Sequence, residues 1–264
     1  NGIEKVLFWF RGDYYNDGAH PAASLIEVNG KLYGTTYSGG FFENYGTVFQ
    51  ISLRGNEKVL HSFGIYSDGG NPLANLINVH GTLYGTTPYG GEGGSSEPFA
   101  WGTVFRITTT GTEQVLYAFN RSDGYYPAAG LIKVGGILYG TTEGGGAYGG
   151  SYGDGTAFSI TTTGSLTTLH SFGSGSDGVS PWAALLNVRG TLYGTTGGGG
   201  AYGKGTIFRM SLSGKEKVLH SFGYGTDGAT PLAGMIDVNG TLYGTTSAGG
   251  TYGNGTVFAL TLPR

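Results

Sequence analysis

Residues 30–52 read G-K-L-Y-G-T-T-Y-S-G-G-F-F-E-N-Y-G-T-V-F-Q-I-S, and most of the chain is a set of variations on this stretch. The L-Y-G-T-T core places its tyrosine at Tyr33, Tyr84, Tyr139, Tyr193 and Tyr243, in steps of 51, 55, 54 and 50 residues. The second half, G-T-[VAI]-F, places its phenylalanine at Phe49, Phe105, Phe158, Phe208 and Phe258. A period near fifty residues marks a repeat architecture, which has to be read before anything local. What all five copies share reads as scaffold, and what one copy holds alone is a candidate site.

Within one copy the pattern is strand-like, with no helical periodicity. Residues 25–28 form a short apolar strand, and Asn29-Gly30 suits a two-residue hairpin. Strands follow at 31–36, where Gly34 allows close backbone approach, then at 47–52 and 57–63. A linker ending D-G-x-x-P leads to the next copy. The order recurs at 76–119, 131–172 and 185–222, whereas the fifth unit, 235–261, lacks its fourth strand. Residues 4–10, E-K-V-L-F-W-F, match 57–63 and 216–222 and supply the missing strand. The expectation is an all-β, five-bladed β-propeller with four antiparallel strands per blade. Its N-terminal strand closes the last blade, giving one domain over 1–264 with no free sheet edge.

Glycine makes up 55 of 264 residues, but without a G-X-Y period, which excludes collagen. A net charge of −3 leaves no basic face for a phosphate backbone, so nucleic acid is not an expected partner. The absence of cysteine removes disulfides, thiolate chemistry and zinc–thiolate sites. No apolar run approaches the roughly 18 residues of a membrane span. The chain starts Asn1-Gly2, without methionine or leader, and reads as a trimmed mature form.

The combination L-Y-G-T-T-x-x-G-G, G-T-V-F and V-L-H-S-F is similar to the GloVer-type tandem repeat of bacterial extracellular proteins, over essentially the whole chain. The resemblance implies a propeller-like array, secreted or surface-anchored, and no single chemistry. Kelch repeats have a similar length and a Gly-Gly pair. Here, however, the pair follows T-T, and the kelch aromatic spacing is missing. In architecture the chain also resembles five-bladed lectins, an analogy of form alone.

Asp17, Asp68, Asp123, Asp177 and Asp227 each precede glycine, with proline four positions on. They read as Asx-type turns, the alternative being a structural cation on the propeller axis; no other cofactor or metal is expected. His61, His170 and His220 share one position, with Phe8 and Tyr117 in the other copies. That strand is the outermost of each blade, so these histidines cannot converge on a metal and read as packing residues.

The residue before each linker proline differs in every copy: His20, Asn71, Tyr126, Ser180 and Thr230. Held extended by the proline, these read as a polar ring at the channel mouth. A second set, Glu27, Asn78, Lys133, Asn187 and Asp237, reads as charge pairing around Lys133. Loops on the face of the first ring are unequal. Blades one to three and their linkers carry Arg11, Asp13, Tyr14, Tyr15, Phe42, Glu43, Tyr45, Glu97, Trp101, Arg121, Tyr125, Tyr126, Tyr152 and Asp154, with Trp182 toward blade four.

Aromatic faces beside hydrogen-bonding groups suit sugar rings. The leading expectation is therefore a secreted, monomeric, lectin-like protein that binds a glycan or polysaccharide through Tyr14, Tyr15, His20, Phe42, Glu43, Tyr45, Asn71, Trp101, Arg121, Tyr125, Tyr126, Tyr152 and Trp182. A polysaccharide hydrolase would use two carboxylates among Asp13, Glu43, Glu97 and Asp154. A uronate lyase would use Arg11 or Arg121 to neutralise the substrate carboxylate and His20 or a tyrosine as base. A protein-interaction scaffold is the third class.

Overall fold

The computed structural model describes residues 2–12, 16–41, 44–64, 66–91, 101–149 and 153–262. Every regular element among the described residues is a strand. The chain divides into two compact units, Asn1–Phe119 and Asn120–Arg264. In the first unit, repeat 1 is the antiparallel sheet Ile26–Val28, Lys31–Thr36, Thr47–Ser52, Glu57–Ser62, in that order. Repeat 2 is Ile77–Val79, Thr82–Thr87, Thr103–Thr108, Glu113–Ala118. In the second unit, repeat 3 is Ile132–Val134, Ile137–Thr142, Thr156–Ile160, Leu166–Ser171. Repeat 4 is Leu186–Val188, Thr191–Thr196, Thr206–Ser211, Glu216–Ser221. Repeat 5 has only Ile236–Val238, Thr241–Thr246 and Thr256–Thr261.

The recurring residues each have a physical task. Asn29, His80, Arg189 and Asn239 have φ of 52–55° and are followed by glycines that also have positive φ, the backbone of a two-residue hairpin. The glycine of L-Y-G-T-T faces the repeat's phenylalanine across the sheet, as Gly140 faces Phe158. A Cβ on Gly140 would lie 2.6 Å from Phe158 Cζ, so this position admits no side chain without displacing the ring. The second threonine of T-T bonds the threonine of G-T, at 2.9 Å between Thr36 and Thr47 and 2.8 Å between Thr142 and Thr156.

In repeats 1, 3 and 4 the phenylalanine that follows the outer strand packs on the next repeat. Phe63 meets Phe105 at 5.2 Å, Phe172 meets Phe208 at 5.0 Å and Phe222 meets Phe258 at 5.2 Å. These contacts seed the cores of both units. The N-terminal segment behaves in the same way toward repeat 1. Phe10 meets Phe49 at 5.0 Å, and the Leu7 carbonyl lies against Gly55 as that of Leu60 lies against Gly111.

The fifth sheet is smaller than the other four. Residues 4–10 form no strand, and the fifth sheet stops at three. The consequence is visible in burial: Val257 is 80% exposed where Val48, Val104 and Ile207 are buried, and Ile236, Val238 and Tyr243 are also exposed. In the first unit Leu25 is 48% exposed where Leu76 is buried.

Candidate functional site

The five aspartates before glycine are turn caps. Asp17 accepts from Arg11 N, Gly12 N and Arg11 Nε. Asp68 accepts from Gly64 N, Asp177 from Gly173 N and Asp123 from Asn120 N. Three of them also hold the outer-strand histidines by Nε2, at 3.0 Å for His61–Asp68, 3.0 Å for His170–Asp177 and 2.8 Å for His220–Asp227. No cluster of three metal-ligating side chains occurs among the described residues.

The second polar set also turns out to be local. Glu27 accepts from Gly30 N at 2.5 Å, Asn78 from Gly81 N, Asn187 from Gly190 N and Asp237 from Gly240 N, each capping its own hairpin. The expected charge pairing around Lys133 does not form among the described residues, because a backbone N–H three residues away claims each carboxylate first.

The pre-proline ring is built otherwise than expected. His20, Asn71, Tyr126, Ser180 and Thr230 are left-handed, with φ of 55–58°, not extended. Backbone hydrogen bonds hold them there. Asn71 N donates to Tyr45 O, Ser180 N to Asp154 O and Thr230 N to Lys204 O. The carbonyls of His20, Tyr126, Ser180 and Thr230 accept from Tyr37, Glu143, Gly197 and Ser247. Left-handed backbone is strained for any of these residues, most of all for β-branched Thr230, and persists only where surroundings over-determine it.

These bonds tie together three positions that differ in every repeat: before the linker proline, before G-T (Tyr45, Trp101, Asp154, Lys204, Asn254) and after T-T (Tyr37, Pro88, Glu143, Gly197, Ser247). Sequence reasoning found the first set and part of the second, but missed Glu143, Lys204 and the third set as a whole. Variation at a fixed offset from the repeated motifs was the signal available.

Several of the site residues expected from sequence also make contacts within the scaffold. Arg11 is committed to Asp17. His20 Nδ1 lies 2.6 Å from Ser38 Oγ, and Asn71 Nδ2 donates to Tyr37 O. Tyr45 packs on the core of the first unit, and Trp101 pairs its backbone with Gly90. The ring of Tyr125 covers Gly144, Arg121 is exposed, and its carbonyl accepts from Gly146 N. Asp154 turns its carboxylate toward Gly149 and Gly173. The calls on Asp13, Tyr14, Tyr15, Phe42, Glu43, Glu97 and Tyr152 lie outside the described residues.

What does come together, in the second unit, is Tyr126 edge-on to Trp182 at 5.9 Å and 65°. Trp182 and Leu232 flank Gly197, each 3.4 Å from where a Cβ would be, so a shallow glycine floor lies between two exposed apolar walls. Glu143 is bonded by its N–H to Tyr126, and burial pushes its carboxyl above the ordinary range. On the outer strands burial also raises Glu57 to about 6 and Glu113 and Glu216 to about 7. One carboxyl oxygen of each is buried without a hydrogen bond among the described residues. These three belong to the scaffold.

Repeated four-stranded antiparallel sheets with every helix absent among the described residues define a β-propeller-like repeat protein. The sequence model of the Gloeobacter/Verrucomicrobia repeat family matches residues 2–149 and again 147–264, and the chain belongs to that family. It is similar in structure to a streptogramin B lyase, with 15% identity and a TM-score of 0.54 over 94% of this chain and 70% of that one. A luciferin-regenerating enzyme gives 13% and 0.50 over 90% and 76%, and a gluconolactonase from Xanthomonas campestris 17% and 0.48 over 88% and 69%. At such identities the likeness is one of fold. Among curated proteins nothing matches. No helix among the described residues is long and apolar enough to cross a membrane.

Proposed function

We propose that the chain is a secreted, glycan-binding β-propeller that recognises a sugar where its variable positions gather. The observation that carries this is the Trp182–Tyr126 platform above the Gly197 floor. An indole face matches the C–H face of a pyranose, and Ser180, bonded to Gly197, and Glu143, bonded to Tyr126, stand beside it to meet hydroxyls. A frame repeated five times with different residues at three linked positions is suited to recognition rather than to five identical sites.

The same reading takes the repeats as one monomeric, five-bladed ring in which residues 4–10 complete the last blade. Phe10 and Leu7 already meet repeat 1 as an outer strand would. Glu4 also matches Glu57, Glu113 and Glu216, the residues that open the outer strands of repeats 1, 2 and 4.

Retention of the protein on neutral and acidic polysaccharides, with and without W182A, tests the binding reading. Retention that W182A abolishes supports it, and no retention by any polymer favours a protein scaffold. Cleavage is the second reading, because Glu143 is a carboxyl of raised pKa in the same group. Mass spectrometry of the incubated polymers decides it: oligosaccharides with added water mean hydrolysis, and unsaturated ends mean elimination.

A further inference from the structure

Tyr148, Tyr202 and Tyr252 occupy the same corner of repeats 3, 4 and 5, in A-Y-G or T-Y-G after the glycine run. All three are exposed, at 46%, 50% and 89%. A core residue would not be, and a solvated turn has no need of the same aromatic three times. In repeat 4 this tyrosine has a partner. The ring of Tyr224, from the linker after the outer strand, lies over Tyr202 with centroids 5.6 Å apart and planes tilted by 39°. In repeat 3 the residue at the Tyr224 position is Ser174. There a groove of about 380 Å³ opens, lined by Tyr148, Thr168, Leu169, His170, Ser171 and Ser174.

Repeat 4 thus shows in its own structure what the corner accepts, a flat six-membered ring against the tyrosine, and among the described residues nothing takes that place in repeat 3. We propose that the groove beside Tyr148 is a saccharide subsite that takes one neutral hexopyranose ring. Its volume falls at the lower end of small-ligand pockets. Tyr148 offers the apolar face, and the hydroxyls of Thr168, Ser171 and Ser174 offer donors and acceptors to the sugar rim. The groove has no lysine or arginine, and His170 is already held by Asp177, so nothing in it matches a uronate or sulfate. The ligand class rests on the glycan-binding reading above; the location does not, since the groove lies along the outer strand of repeat 3 and shares no residue with the Trp182 platform. Linked weak subsites of this kind raise overall affinity for a polymer without any one of them being strong.

The test is an amide-resolved NMR titration of the whole chain with methyl β-D-glucopyranoside and methyl β-D-galactopyranoside, with phenol as the aromatic control. Either glycoside is expected to move Ala147, Ser171 and Ser174 saturably, in the millimolar range typical of one isolated ring. S174Y, which copies repeat 4, should weaken that binding at least ~10-fold, and Y148A should do the same. Y224S should open the corresponding groove and confer the response on Ala201 and Ser221. Unchanged binding in S174Y and Y148A would overturn the subsite, as would a response to phenol but to neither sugar. Shifts confined to the surroundings of Trp182 leave the glycan-binding reading standing and remove this subsite. Shifts confined to Ala147, Ser171 and Ser174 support the subsite and remove the Trp182 platform as a sugar site, and no shift at all removes both.

Discussion

Replacing Glu113 with glutamine removes a proton-binding group from a site that favours the neutral form. Burial is the main cause of its raised pKa, followed by the opposing fields of His61 and Asp68. The carboxyl titrates near 4.5 in the unfolded chain and about 7 in the folded one, so the folded state holds the proton more tightly. The stabilisation is complete below about pH 4.5 and is lost as pH rises through 7. A difference of that size is worth at most ~3.4 kcal/mol. Because the side chain is partly exposed, solvent screening reduces this to roughly 1–2 kcal/mol. Glu216, raised to about 7 by burial and by Asp177, contributes similarly in another repeat. Urea unfolding should therefore show the wild-type protein losing roughly 2–4 kcal/mol between pH 5 and pH 8 on account of these two groups. E113Q should remove about half of that loss and E113Q/E216Q most of it, with both variants more stable than wild type at pH 8. An undiminished pH dependence in the double variant would refute the reasoning, because glutamine keeps the shape and leaves His61, Asp68 and Asp177 in place.

Closure of the ring can be read at Val257. If the fifth sheet is covered by the start of the chain, V257D buries a charge and should lower stability by several kcal/mol in thermal melts, whereas an uncovered face would tolerate it within about 0.5 kcal/mol. G140A places a methyl group 2.6 Å from Phe158 Cζ and should cost ~1–3 kcal/mol in chemical denaturation. D177A leaves His170 Nε2 without its partner and Gly173 N with the Gly178 carbonyl alone, and should cost ~1–3 kcal/mol, against little for an exposed surface aspartate; the comparison is made by differential scanning calorimetry. W182A should leave the melting temperature within a few degrees while reducing glycan retention at least ~10-fold, a cost of about 1.4 kcal/mol or more.

Five internal copies made the scaffold legible before any coordinates. The strand order, the Asn-Gly hairpin, the close approach at Gly34 and its equivalents and the Asx turns all depend on neighbours a few residues away or on contacts that recur in every repeat. Comparing one copy with the next therefore separates them from everything else. The outer position of His61, His170 and His220 followed from strand order alone. The site was less legible. Leading candidates such as Arg11, Tyr45 and Tyr125 were named for their chemistry, and their partners Asp17, the core and Gly144 had already engaged them. The proline rule disfavours right-handed helix for the preceding residue, but it does not choose between extended and left-handed backbone. Hydrogen bonds from other loops made that choice at His20, Asn71, Tyr126, Ser180 and Thr230.

The sequence by itself thus determined an all-β tandem repeat, its period, its turns and the family to which it belongs, because each is encoded within about fifty residues and written five times. Only the tertiary structure decided which variable residues are bonded to one another and that Tyr148, among the described residues, stands without the ring that Tyr224 gives its counterpart Tyr202. It also left the fifth sheet with three strands. Those outcomes turn on contacts between segments fifty or more residues apart, and local chemistry carries no record of which segments meet.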